Sequence, residues 1–401
     1  MKETAKKGVV FMKVLILSCN TGEGHNSCAR ALRDEFRKQN IECEIADTLD
    51  FISPVLSKMM AQGHRFVYRH LPWLFNRGYH YVEEHPSLYQ PGTLLYRFLS
   101  SGSGKLADYI NENGYDTVIS AHVFSGVAIT EAQKHCSRHI TTGFLATDYT
   151  CSPIAEVGQQ DVYMIPDERL WDQFAAKGID ENKITAVGIP IREMFEVNLP
   201  KETAKTAEGI AKNHTHLLVM GGSMGCGPIR EIVNEMAHRM DDTMEMIVVC
   251  GNNKRLYKCL KEKTKHCRQI HIRGYVENMS RLMDSADVYL TKPGGISVTE
   301  ASAKKLPMIL INAVGGCEAY NYRFFTDMGT AVSGKDAAEL ADVCMTLLKD
   351  EGARNAMREK YDTGSFSTTE TVPDILHSLD TVNKNIVMKY IAEGEEYLYE
   401  G

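Results

Sequence analysis

His25, His122 and Asp148 are the titratable residues whose spacing best suits chemistry. Each comes just after a short run rich in β-formers: Val14-Leu-Ile-Leu17, Asp116-Thr-Val-Ile-Ser120 and Ile140-Thr-Thr-Gly-Phe-Leu-Ala-Thr147. Open α/β sheets gather ligands at the carboxyl ends of such strands, so the three side chains are expected along one sheet edge. An imidazole there titrates near neutral pH and can take a proton from a hydroxyl. A carboxylate beside it can orient the site or serve as the base itself. The plainer alternative for His25 is a capping or hydrogen-bonding histidine, and every parallel sheet carries some polar residues at its rim.

A second set of residues can hold an anion. Leu217-Leu-Val-Met220 runs into Gly221-Gly-Ser-Met-Gly225, and Asp287-Val-Tyr-Leu290 into Thr291-Lys-Pro-Gly-Gly295, followed by a helical pattern over Ile296 to Lys305. A strand that turns through glycines into a helix leaves backbone N–H groups bare, with the positive end of the helix dipole behind them. A phosphate or diphosphate fits such a turn. Glu300 lies one turn further on, where a carboxylate can grip ribose hydroxyls. An ordinary βα turn is the alternative. Neither loop carries the dinucleotide fingerprint or a Gly-Lys-Ser/Thr phosphate loop, which leaves an NAD-linked oxidoreductase without its motif.

The elements that must position these groups alternate strand and helix twice along the 401 residues, too many for one ordinary core. Strand-like runs also occur at Ile41–Ile45, Asp161–Ile165, Ile184–Val187, Met246–Cys250, Ile270–Ile272 and Met308–Ile311. The pattern pauses over the Lys-, Thr- and Glu-rich stretch Leu199–His214, which places a boundary there. The expected division is a first domain over 1–198, a second over 199–375, and a helical tail over 376–401 that crosses back onto the first. Net charge is −7, which gives no general reason to expect nucleic acid. Eleven dispersed cysteines without paired spacing point to reduced thiols in a cytoplasm. No apolar run is long enough to cross a bilayer.

From Phe51 to Val82 there is no Asp or Glu; Lys58, Arg65, Arg69 and Arg77 alternate with Phe66, Tyr68, Trp73, Phe75, Tyr79 and Tyr81. Such a segment suits an anionic bilayer interface. It also suits packing on a sheet with solvated arginines and, more weakly, stacking on RNA.

Taken in order, Gly22-Glu-Gly24-His25-Asn26, Thr147-Asp148, Gly188-Ile-Pro-Ile-Arg192, Gly221-Gly-Ser-Met-Gly225, Tyr275-Val-Glu-Asn278, Thr291-Lys-Pro-Gly-Gly295 through Glu300, and Leu306-Pro-Met-Ile309 resemble glycosyltransferase family 28. The resemblance is to its branch of monogalactosyldiacylglycerol synthases and processive diacylglycerol glucosyltransferases. It implies a GT-B fold, two Rossmann-like domains facing across a cleft, with no metal strictly required. The donor, UDP-glucose or UDP-galactose, would sit in the second domain. Gly221, Gly222, Ser223, Gly225, Gly294 and Gly295 would surround its diphosphate, Glu300 its ribose, Tyr275 and Val276 its uracil, and Glu318 and Asn321 its sugar. His25 falls at the place of the family's candidate base, with Asp148 as orienting group or alternative. Gly24, Asn26, His122, Arg65, Arg69, Trp73, Phe75 and Arg77 would face the lipid acceptor or the membrane. The expected activity is inverting transfer of a hexose to a lipid hydroxyl, such as that of diacylglycerol, by a cytoplasmic protein resting on the inner face of the cell membrane. A UDP-sugar epimerase of the same fold and a catalytically idle nucleotide-sugar-binding membrane protein are the rival expectations. The chain departs from the family's usual Gly-Gln-Glu at Gly316-Cys317-Glu318, and from a common His-Pro pair at His122-Val123.

Overall fold

The computed structural model describes residues 12–19, 23–311, 315–363, 375, 378–382 and 385. Two six-stranded parallel sheets are built from successive halves of the chain. The first holds β1 (Lys13–Ser18), β2 (Glu42–Asp47), β3 (Thr117–Ser120), β4 (Thr141–Leu145), β5 (Val162–Ile165) and β6 (Ile184–Ala186), in the order β2-β1-β3-β4-β5-β6. The second holds β7 (Thr215–Met220), β8 (Met244–Val249), β9 (Ile270–Arg273), β10 (Val288–Thr291), β11 (Met308–Leu310) and β12 (Ala331–Ser333), in the order β12-β11-β10-β7-β8-β9. These are the two Rossmann-like halves of the GT-B arrangement.

The inner strands β3, β8 and β10 are buried along their length, and β1 from Val14 onward, because helices cover both faces of a parallel sheet. Val14, Leu15, Ile16 and Leu17 are wholly buried, as are Val288, Tyr289 and Leu290. Register places Leu15 beside Glu44 and Val118, and Leu290 beside Val219 and Ile309. Strand β12, only three residues long, carried no signal in the sequence. The Leu199–His214 stretch holds a helix, Lys201–Glu208, tied to the second half where the Leu199 N–H donates to Asp284 and the Lys201 ammonium to Asp287. Most of 376–401 lies outside the described residues. Within the described part Leu379 is buried, and its Cδ2 would lie 3.6 Å from a Cβ added at Gly143 of β4.

The halves meet directly at the carboxyl ends of their strands. Tyr149, just beyond β4, bonds the Thr299 hydroxyl at 3.0 Å and packs on Phe324 and Phe325, with ring centroids 4.5 and 4.8 Å away. Thr299 sits in the helix Gly295–Ala303, whose first turn touches the Thr147–Asp148 loop: a Cβ at Gly295 would fall 2.1 Å from the Thr147 carbonyl oxygen. Only glycine permits that approach. Gly24 faces the same helix, since a Cβ there would lie 3.8 Å from Ile296.

The basic aromatic segment folds as two helices, Pro54–His70 and Pro72–Glu84. The second is not merely peripheral. Asn76 Oδ1 accepts from the Gly316 N–H at 3.3 Å, and the Tyr320 hydroxyl donates to Glu83 at 2.5 Å, which ties the helix to the second half.

Candidate active site

The cleft between the halves is a cavity of about 930 Å³. His25 enters it from the helix Glu23–Lys38 that follows β1. Helical structure begins at Glu23. Asn26 therefore lies inside the helix, where its side chain accepts from the Ser18 hydroxyl at 2.8 Å and does not face an acceptor. Cys28, Leu32 and Phe36 face the core from the same helix, which fixes the side from which His25 projects.

His25 Nδ1 lies 3.0 Å from the Ala121 carbonyl and 2.7 Å from the Thr147 hydroxyl. In the tautomer with the proton on Nδ1, the ring donates to the Ala121 carbonyl and Nε2 is the basic nitrogen; in the other, Nδ1 accepts from the Thr147 hydroxyl. Burial lowers the His25 pKa below its ordinary 6.5, while the nearby Asp148 carboxylate and the Ala121 bond oppose the shift. The imidazole is thus neutral at pH 7. His122 caps the helix Val123–Gln133, with its Nδ1 accepting from the Phe124 N–H at 3.2 Å; its ring meets that of His25 edge-on, centroids 4.8 Å apart.

Asp148 faces His25 from the end of β4. Burial raises its pKa, whereas His25, a hydrogen bond from Asn321 and the Lys292 charge pull it down. Asn321 was expected near the donor sugar. Instead it is fully buried, its amide donating to Asp148 at 2.7 Å and to the Pro293 carbonyl at 3.0 Å while its oxygen accepts from the Tyr149 N–H at 2.6 Å. With both ends of the amide committed, Asn321 is a positioning residue for Asp148.

Across the cleft, Gly222, Ser223, Gly294, Gly295, Tyr275, Val276, Glu300 and Glu318 all line the cavity. Gly221 and Gly225 do not. A Cβ at Gly221 would strike the Cys226 carbonyl at 2.0 Å, and one at Gly225 the Cys250 carbonyl at 2.7 Å, so Gly221 lets the loop fold back on itself and Gly225 lets it pack against the end of β8. Glu300 is only 8% exposed, and burial pushes its carboxyl up from 4.5 to about 8, against the attraction of Arg192. Arg192 comes from the first half and lies in the cleft wall, where its Nε is buried without a hydrogen-bond partner.

Lys292 was not singled out by the sequence reading. Its Nζ lies 2.5 Å from Glu318 Oε1, and its stem crosses Gly222, where a Cβ would fall 2.5 Å from Cε. A cation thus stands between the two glycine loops, beside the N-terminus of the helix Gly295–Ala303. That pairing of charge with bare N–H groups suits a diphosphate. Its signal was present in Thr291-Lys-Pro-Gly-Gly, but the spatial adjacency of the two loops was not. Among the described residues no group of three His, Cys, Asp or Glu side chains is arranged to hold a metal ion.

Of the residues expected to face a lipid or membrane, Gly24, His122 and Phe75 line the cleft. Trp73 and Arg77 are solvent-exposed and not in the cavity wall. The side chains of Arg65 and Arg69 lie outside the described residues, as do residues 20–22 of the first glycine loop. Phe75 approaches to 3.2 Å from where a Cβ on Gly316 would be, so it packs on the second half and does not face outward.

Residues 25–191 match the family model for monogalactosyldiacylglycerol synthase, and residues 236–362 that for glycosyl transferases group 1. The processive diacylglycerol beta-glucosyltransferase of Bacillus pumilus (strain SAFR-032) is 27% identical over 385 residues, covering 93% of this chain and 97% of that protein. Among solved structures, MurG of Acinetobacter baumannii superposes with a TM-score of 0.61 at 12% identity, covering 93% of this chain and 99% of that one. The UDP-GlcNAc 2-epimerase of Neisseria meningitidis, bound to UDP-GlcNAc, reaches 0.61 at 14% identity, covering 92% of this chain and 100% of that one. The two structural likenesses establish the shared fold. Because an epimerase scores as high as MurG, they do not choose a reaction.

Proposed function

We propose that this chain, which belongs to the monogalactosyldiacylglycerol synthase and processive diacylglycerol glucosyltransferase branch of glycosyltransferase family 28, moves a hexose from a UDP-sugar to the hydroxyl of diacylglycerol with inversion at the anomeric carbon. The observation that supports the reading is His25 in the wall of the cleft that Gly294, Gly295 and Lys292 also line, its Nδ1 within hydrogen-bond reach of the Ala121 carbonyl and the Thr147 hydroxyl. The acceptor hydroxyl gives its proton to Nε2 as its oxygen bonds the anomeric carbon. The bond from that carbon to the diphosphate oxygen breaks, and UDP leaves with the electron pair. Negative charge grows on the diphosphate. The N–H groups that open the helix at Gly295 and the Lys292 ammonium would stabilise it, so that no metal ion is required.

The same reading gives the helices at 54–84 a second role. Val55, Met59 and Phe66 are exposed at helical spacing on one stripe of Pro54–His70, and Trp73 is exposed at the start of Pro72–Glu84. With Lys58 and Arg77 exposed nearby, this surface suits the anionic inner leaflet of a cell membrane. No helix among the described residues is long and apolar enough to cross a membrane.

The test is to incubate the protein with diacylglycerol liposomes and UDP-glucose, UDP-galactose or UDP-N-acetylglucosamine, and to resolve lipids and nucleotides by mass and chromatography. A hexosylated diacylglycerol is expected. Epimerised nucleotide sugar without glycolipid would favour the epimerase instead.

A further inference from the structure

The donor-sugar end of the cleft is completed by a residue from the opposite half. The Tyr79 hydroxyl, on the helix Pro72–Glu84, lies 3.1 Å from Cys317 Sγ at the start of the helix Cys317–Asp327, and Ser152 Oγ approaches the same sulfur at 3.4 Å. The fit is built in on both sides. Gly316 has a positive φ of 66°, and a Cβ there would come within 3.2 Å of the Phe75 and Tyr79 rings. Asn76 fills the space beside Gly315, where a Cβ would fall 2.0 Å from its Oδ1. Tyr79, Cys317 and Ser152 line the cleft together with Glu318.

A donor whose ribose meets Glu300 and whose diphosphate meets Gly294–Gly295 must extend its sugar toward His25 and Glu318, into this corner. Cys317 occupies the position where the family's usual sequence has glutamine, so no side-chain amide is available there. A thiol is a weak acceptor and a weak donor. Whichever of the two donates, a phenol resting on sulfur gives up little when its O–H turns to a sugar oxygen, whereas an amide oxygen would hold that O–H firmly.

Resting on the assignment of the cleft to a UDP-hexose, we propose that Tyr79 is a donor-selectivity residue: its O–H, resting on the Cys317 thiol, turns to a hydroxyl of the hexose when the donor binds. Selection of the sugar is then shared between the halves, and the helix that makes it also carries the exposed Trp73. A site that hydrogen-bonds one hydroxyl configuration discriminates against the sugar that lacks it, because its polar group is then left unpaired.

Titration calorimetry with UDP, UDP-glucose and UDP-galactose tests this on wild type, Tyr79→Phe and Cys317→Ser. In Tyr79→Phe, the ratio of affinities for the preferred and the disfavoured UDP-hexose is expected to fall about tenfold, with UDP affinity within about twofold of wild type. Cys317→Ser supplies a stronger acceptor for the phenol and is nearly isosteric. It should weaken the preferred UDP-hexose relative to UDP by about fivefold. An unchanged ratio in Tyr79→Phe, or an equal loss for UDP and both UDP-hexoses, would overturn the proposal. Failure of the wild type to bind any UDP-hexose would overturn both this proposal and the assignment of the cleft. Binding of UDP-hexoses without transfer to lipid would overturn the lipid reaction alone and leave the Tyr79 test to stand on its affinities.

Discussion

Replacing Glu300 by Gln should make the protein more stable and a poorer UDP binder, and the stabilisation should depend on pH. Glu300 is buried, and burial raises its carboxyl from 4.5 to about 8. The folded state therefore holds a proton that the unfolded chain releases. For an acid shifted upward, stability falls as pH rises from 4.5 and the full penalty is present above 8. A shift of about 3.5 units at about 1.4 kcal/mol each amounts to roughly 5 kcal/mol at the alkaline limit. By the same linkage the penalty is roughly 4 kcal/mol at pH 7.5 and under about 1 kcal/mol at pH 5. Glutamine keeps the shape and removes the titration, so differential scanning calorimetry should find the two proteins alike near pH 4.5. At pH 8.5 the transition of the second half should rise by on the order of 10 °C in Glu300→Gln. UDP affinity, by calorimetry at pH 7.5, should weaken by roughly 1–3 kcal/mol if the carboxylate accepts from the ribose hydroxyls. Because that contact favours the ionised form, wild-type UDP affinity should rise with pH up to about 8. A Tm difference that stays flat across pH would refute the buried-carboxylate argument. Unchanged UDP affinity would remove Glu300 from the ribose site.

Other parts of the site make separate predictions. His25→Ala should lower turnover by roughly 10²–10⁴-fold with UDP binding nearly unchanged. Because burial holds the His25 pKa below 6.5, the acid limb of the wild-type rate profile should fall below that pH, and near-normal turnover in the variant would remove His25 as the base. Lys292→Met should weaken UDP more than uridine, by roughly 1–3 kcal/mol, and the wild type should keep its activity in EDTA. Equal losses for UDP and uridine would argue against a diphosphate contact. Changing Met59, Phe66 and Trp73 together to Ser should reduce flotation with phosphatidylglycerol vesicles while leaving UDP affinity intact; undiminished flotation would move the membrane surface elsewhere.

Much of the fold was legible because parallel strands buried on both faces appear as unbroken apolar runs, as in Val14–Leu17 and Leu217–Met220. The strand ends then put His25, His122 and Asp148 at one rim, where the structure brings them together. Side-chain direction was less legible. Gly221 and Gly225 look like ligand-facing glycines in a motif, but the missing Cβ of Gly221 serves the loop's own backbone and that of Gly225 its packing against the Cys250 carbonyl. Asn321 reads as a sugar contact until Asp148 and Pro293 are seen to take its amide hydrogens. Lys292 gains its place only when two loops, 70 residues apart in sequence at Gly222 and Lys292, lie side by side. From composition the segment Phe51–Val82 suits either a membrane surface or packing on a sheet, and the helix Pro72–Glu84 lies within it. The structure divides it between an exposed Trp73 and a face, with Phe75, Asn76 and Tyr79, that closes the cleft. Periodicity reports that a helix has two faces; it does not name what each face meets.

The proposed reaction is a single displacement with no covalent sugar intermediate. The direct measurement is the anomeric configuration, by NMR, of the glycolipid formed from α-linked UDP-hexose on diacylglycerol liposomes. A β-linked hexosyl-diacylglycerol, absent when His25 is replaced by Ala, is the predicted result. An α-linked product, or no lipid-linked sugar with any UDP-hexose, would contradict the account.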